Sequence, residues 1–133
     1  MEKIKEFFKR DKFAEHCGIE LLEVTKGYAR AKMDITGSHL NGVGTVQGGA
    51  IFTLADLTFA AASNSHGTVA VAINVNISFV KAVKKGTLFA EAKETSINPK
   101  LGTYDVRVTD ENGGLIAIFE GMVYRKEQKL EEV

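Results

Sequence analysis

The residues best suited to chemistry lie in one stretch, residues 45–67. Within it, residues 49–62 are almost all apolar or small and include no proline, which predicts a helix buried on all sides. Asp56 is the only carboxylate in that helix. A buried carboxylate needs a hydrogen bond or a charged partner, or its pKa rises. Because the helix offers no polar face to share, we interpret Asp56 as a functional group rather than as an ordinary surface residue.

Two consecutive glycines, Gly48 and Gly49, stand where this helix should begin. Helix N-termini carry free backbone N–H groups and the positive end of the dipole, and glycine lets another molecule approach the backbone closely. Glycines there can also serve only the dihedral angles of a tight turn. Together with an acid two turns further on, they favour a binding or catalytic site. Gly67 follows as a helix stop in the left-handed conformation.

Composition narrows the class of protein. The 133 residues predict one domain spanning 1–133, and 44% apolar and 26% charged residues are typical of a globular protein. The 17 basic and 17 acidic side chains balance, which argues against a nucleic-acid partner. No long apolar run follows the N-terminus, so we expect no signal peptide and no membrane segment. Cys17 is the only cysteine, so no internal disulfide is possible, and we expect a cytoplasmic protein.

Other candidate chemical groups are weak. His16 and Cys17 are adjacent, and neighbouring side chains in an extended segment point apart, so a Cys–His nucleophile is not favoured. The histidines lack metal-ligand spacing, so we predict no metal and no cofactor.

The rest of the chain must position Asp56 and the glycines. Clean alternation in residues 28–35, with Ala29 and Met33 on one face and Arg30 and Lys32 on the other, predicts a strand. The full set of predicted elements is a helix at 2–10, strands at 19–24 and 28–35, the buried helix, and strands at 69–80, 87–95, 104–109 and 115–124. A hairpin turn is predicted at 110–114, and the charged tail 125–133 is expected to fray. One buried helix with antiparallel strands predicts an α+β fold whose sheet curls around the helix.

These residues resemble a known family. The pattern Leu40-Asn41-Gly42 followed by Gln47-Gly48-Gly49-Ala50-Ile51-Phe52-Thr53-Leu54-Ala55-Asp56 resembles the hotdog-fold acyl-CoA thioesterases, most of all the PaaI-like, phenylacetic-acid-degradation type. The resemblance extends over residues 13–124 in both motif and element order. It implies a hotdog fold, in which a curved antiparallel sheet wraps one long buried helix.

The resemblance also implies roles for individual residues. Asp56 matches the helix carboxylate that acts as general base or nucleophile. Gly48 matches the glycine whose backbone N–H polarises the thioester carbonyl, and Asn41 matches a loop amide that assists there. The matching substrate-binding positions are Gln47 and Gly49 at the helix start and, on the coenzyme A side, Phe79, Val80, Lys81, Lys84, Lys85 and Gly86.

Two positions depart from the family pattern. The family commonly has histidine where this chain has Gln47, and glutamine donates hydrogen bonds but cannot shuttle protons near neutral pH. The family also often has proline where this chain has Ala82. The thiolate of coenzyme A is a good leaving group, so hydrolysis requires no strong general acid. Glutamine in place of the family histidine therefore argues only weakly against this activity.

Geometry predicts that the site is shared between subunits. Eight residues separate Gly48 from Asp56, which is about 12 Å along one helix, whereas attack requires about 3–3.5 Å. Two antiparallel helices at a twofold interface can bring both groups to one carbonyl. We therefore expect a homo-oligomer, a dimer with shared sites, and, from the resemblance, a dimer of dimers.

The predicted activity is hydrolysis of an acyl- or aryl-coenzyme A to the free acid and coenzyme A. One alternative is a hotdog dehydratase or isomerase, which needs a histidine near the carboxylate, and His39 keeps that alternative open. Another is a non-catalytic acyl-CoA-binding module, which needs the pocket but no acid, so Asp56 argues against it.

Overall fold

The computed structural model describes residues 1–133 and contains three α-helices and six β-strands. The helices are α1 (Glu2–Phe8), α2 (Lys12–His16) and α3 (Gly48–Ser63). The strands are β1 (Ile19–Thr25), β2 (Tyr28–Asp34), β3 (Thr68–Phe79), β4 (Thr87–Ile97), β5 (Leu101–Asp110) and β6 (Leu115–Lys129). Short 3₁₀ turns cover Gly37–His39 and Leu130–Glu132. No helix has the length and apolar character needed to cross a membrane.

The six strands form one antiparallel sheet in the order β1-β2-β4-β5-β6-β3. Helix α3 contacts all six strands, as it must when a sheet curves around a helix. The predicted α+β arrangement is confirmed. Strand β3 is an edge strand that pairs only with β6, so its other edge has no partner within the chain.

Small residues in the sheet allow α3 to approach it closely. Ala29, Ala31, Ala90 and Ala92 are fully buried on β2 and β4, beneath the helix. Over β5 and β6, larger aromatic side chains fill the space between the helix and the sheet. The ring of Phe59 on α3 lies 5.7 Å from that of Tyr104 and 5.3 Å from that of Phe119, between ring centroids. These contacts fix the rotation of α3 on the sheet and so decide which of its faces stays open.

One stripe of α3 is not covered. Gly49 is exposed, and Thr53, Asp56 and Ala60 are half-buried. Their spacing of four, three and four residues places them on one face of the helix. The prediction of burial on all sides is therefore wrong for the single chain, because the curved sheet leaves this one stripe of α3 uncovered. Asp56 lies in the middle of the open stripe.

The structure corrects several element bounds. Helix α2 is an addition that five residues were too short to reveal, although the Asp11 side chain caps it by accepting the Ala14 N–H at 3.0 Å. Strands β4 and β5 are longer than predicted. The prediction that the tail frays is wrong, because β6 continues to Lys129 alongside β3. The tail is then anchored by Leu130, which is buried and donates its N–H to the Gly67 carbonyl.

Both predicted turns are found, but the residue that caps the C-terminus of α3 is not the predicted one. The 110–114 hairpin forms, and Asp110 Oδ1 accepts the N–H groups of Asn112 and Gly114. Gly67 has a positive φ of 91°, as expected for a left-handed glycine. The C-cap of α3 is nevertheless Asn64, whose side chain donates to the Ala60 carbonyl and also bonds the backbone of Ala70.

Candidate active site

Asp56 has no neutralising partner. Its carboxylate forms no hydrogen bond or ion pair within the chain, and it is only half-buried. Burial raises the pKa of the Asp56 carboxyl above its usual value, and the negative charge of Asp11 raises it further. A carboxylate of this kind is a stronger base than an exposed one and has free lone pairs for a water molecule or a carbonyl carbon.

Asp56 opens into a cleft of about 840 Å³ between α3 and the N-terminal segment. From α3 the cleft is lined by Gly49, Ala50, Phe52, Thr53, Asp56 and Leu57, and at its mouth by Gln47. The opposite wall comes from α2 and the 36–40 turn, with Asp11, Phe13, His16, Cys17, Ser38 and His39. The sequence pattern does not predict this wall. The one sequence signal for this wall is Asp11 followed by the apolar residues Phe13 and Ala14. This segment is too short to show the 3.6-residue period of a helix.

His39 has a structural position in this wall. The Thr36 N–H donates to Nδ1 at 3.0 Å, so the ring proton lies on Nε2, which donates to the Cys17 carbonyl at 2.7 Å. The ring is buried, and both of its nitrogens are occupied by backbone groups. His39 thus ties the end of α2 to the turn before α3 and has no free nitrogen for proton transfer. His16, in contrast, is exposed in the cleft, and its side chain makes no hydrogen bond within the chain.

The backbone N–H groups at the start of α3 differ in their hydrogen-bond partners. The Gln47 carbonyl accepts the N–H groups of Ala50 and Ile51, at 2.9 and 3.3 Å. The side-chain Oε1 of Gln47 accepts the Gly48 N–H at 3.1 Å. The Gly49 N–H has no partner. The Gly48 N–H is therefore occupied by the side chain of its neighbour, whereas the Gly49 N–H is free to bind a ligand.

Asn41 organises the loop before the helix. Its Oδ1 accepts the N–H groups of Val43 and Thr45, both at 3.1 Å, while its Nδ2 donates to Thr45 Oγ1 at 3.0 Å. One of the two hydrogens on Nδ2 is used in that bond, so the second remains available to a ligand. The side chain is held rigidly, which suits a group that must point at a carbonyl oxygen.

The residues expected to contact coenzyme A follow the end of β3. The ring of Phe79 lies against Gly48, where a Cβ would stand 3.1 Å from the ring. The loop after it is fixed to the helix entrance by the Val46 N–H, which donates to the Val83 carbonyl at 2.8 Å. Val80, Lys81, Lys84 and Lys85 are exposed, Gly86 is half-buried with a φ of 100°, and none of the three lysines forms an ion pair.

The predicted residues thus form two groups within one chain. Gln47, Gly48 and Phe79 meet at the start of α3, beside the lysine loop, residues 80–86. Asp56 lies about two turns further along the helix, or about 12 Å. The cleft links Gln47 and Gly49 to Asp56, but residues 79–86 do not line it. No group of three or more His, Cys, Asp or Glu side chains is arranged to hold a metal ion.

Comparison with known proteins relates this geometry to a family. Residues 43–117, which contain α3, the lysine loop and strands β3, β4 and β5, match the family model described as the thioesterase superfamily. A putative esterase of Archaeoglobus fulgidus is 44% identical over 94% of this chain and 82% of its own length. The acyl-coenzyme A thioesterase PaaI of Escherichia coli is 34% identical over 89% of this chain and 85% of its own length.

Solved structures agree with the sequence relatives. The structure of the Escherichia coli PaaI protein, from the phenylacetic acid degradation operon, superposes with a TM-score of 0.90 over 93% of this chain and 91% of that one. The two sequences are 32% identical in that alignment. With its antiparallel sheet around one central helix and its Gly-Gly helix start, the chain belongs to the thioesterase superfamily and has the hotdog fold of PaaI.

Proposed function

We propose that this chain hydrolyses the thioester of an acyl- or aryl-coenzyme A to the free acid and coenzyme A. The observation that carries the proposal is Asp56, a half-buried carboxylate without a partner, facing a cleft of about 840 Å³. A non-catalytic binding module has no use for such a group, whose burial has a cost in folding free energy. The Escherichia coli relative is named an acyl-coenzyme A thioesterase, and its 34% identity supports the same reaction here.

The proposed reaction needs a nucleophile and an oxyanion site. Asp56 either takes a proton from the attacking water or attacks the carbonyl carbon itself. The Gly48 N–H and the free Nδ2 hydrogen of Asn41 stabilise the negative oxygen of the tetrahedral intermediate. The carbon–sulfur bond then breaks, and coenzyme A leaves as a thiolate. When Asp56 acts as the base, the proton that it took from water passes on to this thiolate, which restores the carboxylate. If Asp56 is the nucleophile, water hydrolyses the acyl-aspartate anhydride in a second step.

We propose that two copies of the chain assemble each site. Gly48 and Asp56 of one chain are too far apart to act on one carbonyl, so one protomer supplies Gly48 and Asn41 and its partner supplies Asp56. The free edge of β3 supports this arrangement, because unpaired strand edges join readily and Ile73 is 55% exposed there, with Val71 and Val75 nearby. A dimer of dimers extends the proposal, as the resemblance implies. The free thiol of Cys17 is compatible with a reaction in the cytoplasm.

We assign the phosphates of coenzyme A to the lysine loop. Lys81, Lys84 and Lys85 are exposed and unpaired, and the loop is hydrogen-bonded to the entrance of α3. An exposed cluster of positive charge attracts the phosphates from a distance. The alternative is an ordinary solvated lysine cluster, and replacing the three lysines with alanine distinguishes the two.

A screen of coenzyme A esters tests the proposed activity. The purified chain is incubated with phenylacetyl-, acetyl- and palmitoyl-coenzyme A, and the released thiol is measured with a chromogenic disulfide. We expect release from at least one ester class, with aryl esters favoured by the likeness to PaaI, and a loss of about 100-fold or more in Asp56→Asn. No release from any ester, or equal release by the Asp56→Asn variant, would contradict the proposal.

A further inference from the structure

The Gly48 N–H, which is the donor that the proposed reaction uses, already has a hydrogen-bond acceptor within the chain. The Gly48 N–H donates to Oε1 of Gln47 at 3.1 Å, although Gln47 is only one residue away and its side chain is exposed. On its other side, Gly48 is covered by the ring of Phe79. A substrate carbonyl that is to accept the Gly48 N–H therefore meets the Gln47 oxygen in its place.

We propose that the Gln47 side chain competes with the substrate carbonyl for the Gly48 N–H, so that binding must displace it. The proposal rests on the proposed function, since it concerns the same carbonyl site. Gln47 lines the cleft that contains Asp56, and its exposed amide can turn into water once the bond is broken. The side chain acts as an internal competitor that lowers the efficiency of the enzyme and stabilises the start of α3.

The competition affects one kinetic parameter above all. Displacing Gln47 is part of the path from free enzyme to transition state, so it lowers kcat/KM. A hydrogen bond between neutral groups corresponds to a factor of about five in an equilibrium. Removing the Gln47 oxygen without shortening the side chain should therefore raise kcat/KM about fivefold. A negatively charged oxygen holds an N–H more strongly and repels the developing oxyanion, so it should have the opposite effect.

The test compares Gln47→Met, which keeps the length of the side chain and lacks the oxygen, with Gln47→Glu, which keeps the oxygen and adds charge. Gln128→Met and Gln128→Glu serve as matched controls, since Gln128 is the other glutamine and is exposed near the end of β6. We expect kcat/KM in the order Gln47→Met, wild type, Gln47→Glu, with the last at least tenfold below wild type and both controls unchanged.

Hydrogen exchange of the Gly48 amide in the ligand-free protein provides a second readout that needs no substrate. It should be faster in Gln47→Met than in wild type. If Gln47→Met lowers kcat/KM, Gln47 assists the reaction, and the competition is overturned. An active wild type with unchanged kinetics and exchange in Gln47→Met also overturns it, without touching the proposed function. A wild type that releases no thiol from any ester overturns both.

Discussion

Among single residues, Asp56 matters most, because the proposed reaction depends on its protonation state. Its carboxyl is half-buried beside a cleft and lacks a charged or hydrogen-bonded partner. Such a site favours the neutral acid, so keeping the charged form at neutral pH destabilises the fold. A purely structural position would be better filled by asparagine or leucine. The same property that makes Asp56 a good base makes it unfavourable for stability.

The first prediction concerns stability. Burial raises the folded-state pKa of Asp56 above its ordinary value of 3.8, so the folded chain binds this proton more tightly than the unfolded chain. The resulting stabilisation is complete below pH 3.8 and is lost as the pH rises through the raised pKa. Asp56→Asn, which is neutral and nearly isosteric, should melt at a higher temperature than wild type at pH 7, and the difference should shrink as the pH falls towards 4.

Glu127→Gln is the matched control, because it removes one negative charge from an exposed carboxylate without an ion pair. Its melting temperature should follow that of wild type across the same pH range. A lower melting temperature for Asp56→Asn at pH 7 would mean that the charged form is stabilised in the fold by a contact that the structure lacks.

The second prediction concerns the pH dependence of hydrolysis. The proposed base or nucleophile, Asp56, must be deprotonated to act, so kcat/KM should fall as the pH falls through its folded-state pKa. Because burial and Asp11 both raise that pKa, the acid limb should lie above the ordinary value of 3.8. Asp11→Asn should shift the acid limb of kcat/KM to lower pH, because it removes the negative charge that also raises the pKa of Asp56. An acid limb that is the same in Asp11→Asn and wild type would assign it to another group.

At the scale of elements, the position of α3 on the sheet decides what Asp56 faces. The helix is held by Phe59, whose ring lies on Gly121 of β6. A Cβ at residue 121 would stand 2.6 Å from that ring, which no relaxed contact allows. The ring is also packed against Tyr104 and Phe119. The absence of a side chain at Gly121 is therefore what allows the helix to lie as it does.

The third prediction follows from that contact. Gly121→Ala should lower the free energy of unfolding by about 1–3 kcal/mol through overpacking, read as a lower urea midpoint with an unchanged slope. Gly37→Ala is the control, since its Cβ would meet open space, and it should change stability by less than about 0.5 kcal/mol. The loss in Gly121→Ala should be smaller in a Phe59→Leu background. Equal midpoints for the two alanine variants would rule out the contact as the determinant of helix position.

The sequence was informative where one residue type or a simple period carries the signal. Asp56 could be selected because it is the only acid in an apolar helix, and the strands because their residues alternate. Helix α2 was missed because five residues do not establish a 3.6-residue period. The pairing of residues 125–129 with β3 was missed because their charged side chains lie on an exposed strand. The hydrogen bond between Gln47 and Gly48 depends on a side-chain conformation that no sequence pattern encodes.

At the scale of the whole molecule, the net charge of zero makes local clusters important. The lysine loop concentrates three unpaired positive charges beside the entrance of α3. If Lys81, Lys84 and Lys85 hold the phosphates of coenzyme A, replacing all three with alanine should raise the KM for an acyl-coenzyme A and reduce its salt dependence. The measurement is KM at several ionic strengths, and kcat should change little.

The matched control for the lysine loop is a variant with Lys3, Lys100 and Lys126 changed to alanine. These three are exposed lysines without ion pairs that lie away from the helix entrance. It removes the same total charge. An equal rise of KM in the two variants would mean that net charge, rather than the loop, attracts the substrate.

We propose that Asp56 of one protomer acts on a carbonyl held by Asn41 and Gly48 of its partner, and mixing two inactive variants tests this arrangement. Asn41→Ala and Asp56→Ala chains are co-refolded at equal concentration, and native mass spectrometry verifies that heterodimers form. Half of the dimers are then mixed, and each mixed dimer has one intact site and one doubly defective site. The account predicts the return of about a quarter of wild-type thiol release. Release no higher than the average of the two parent variants, in a mixture shown to contain heterodimers, would contradict it.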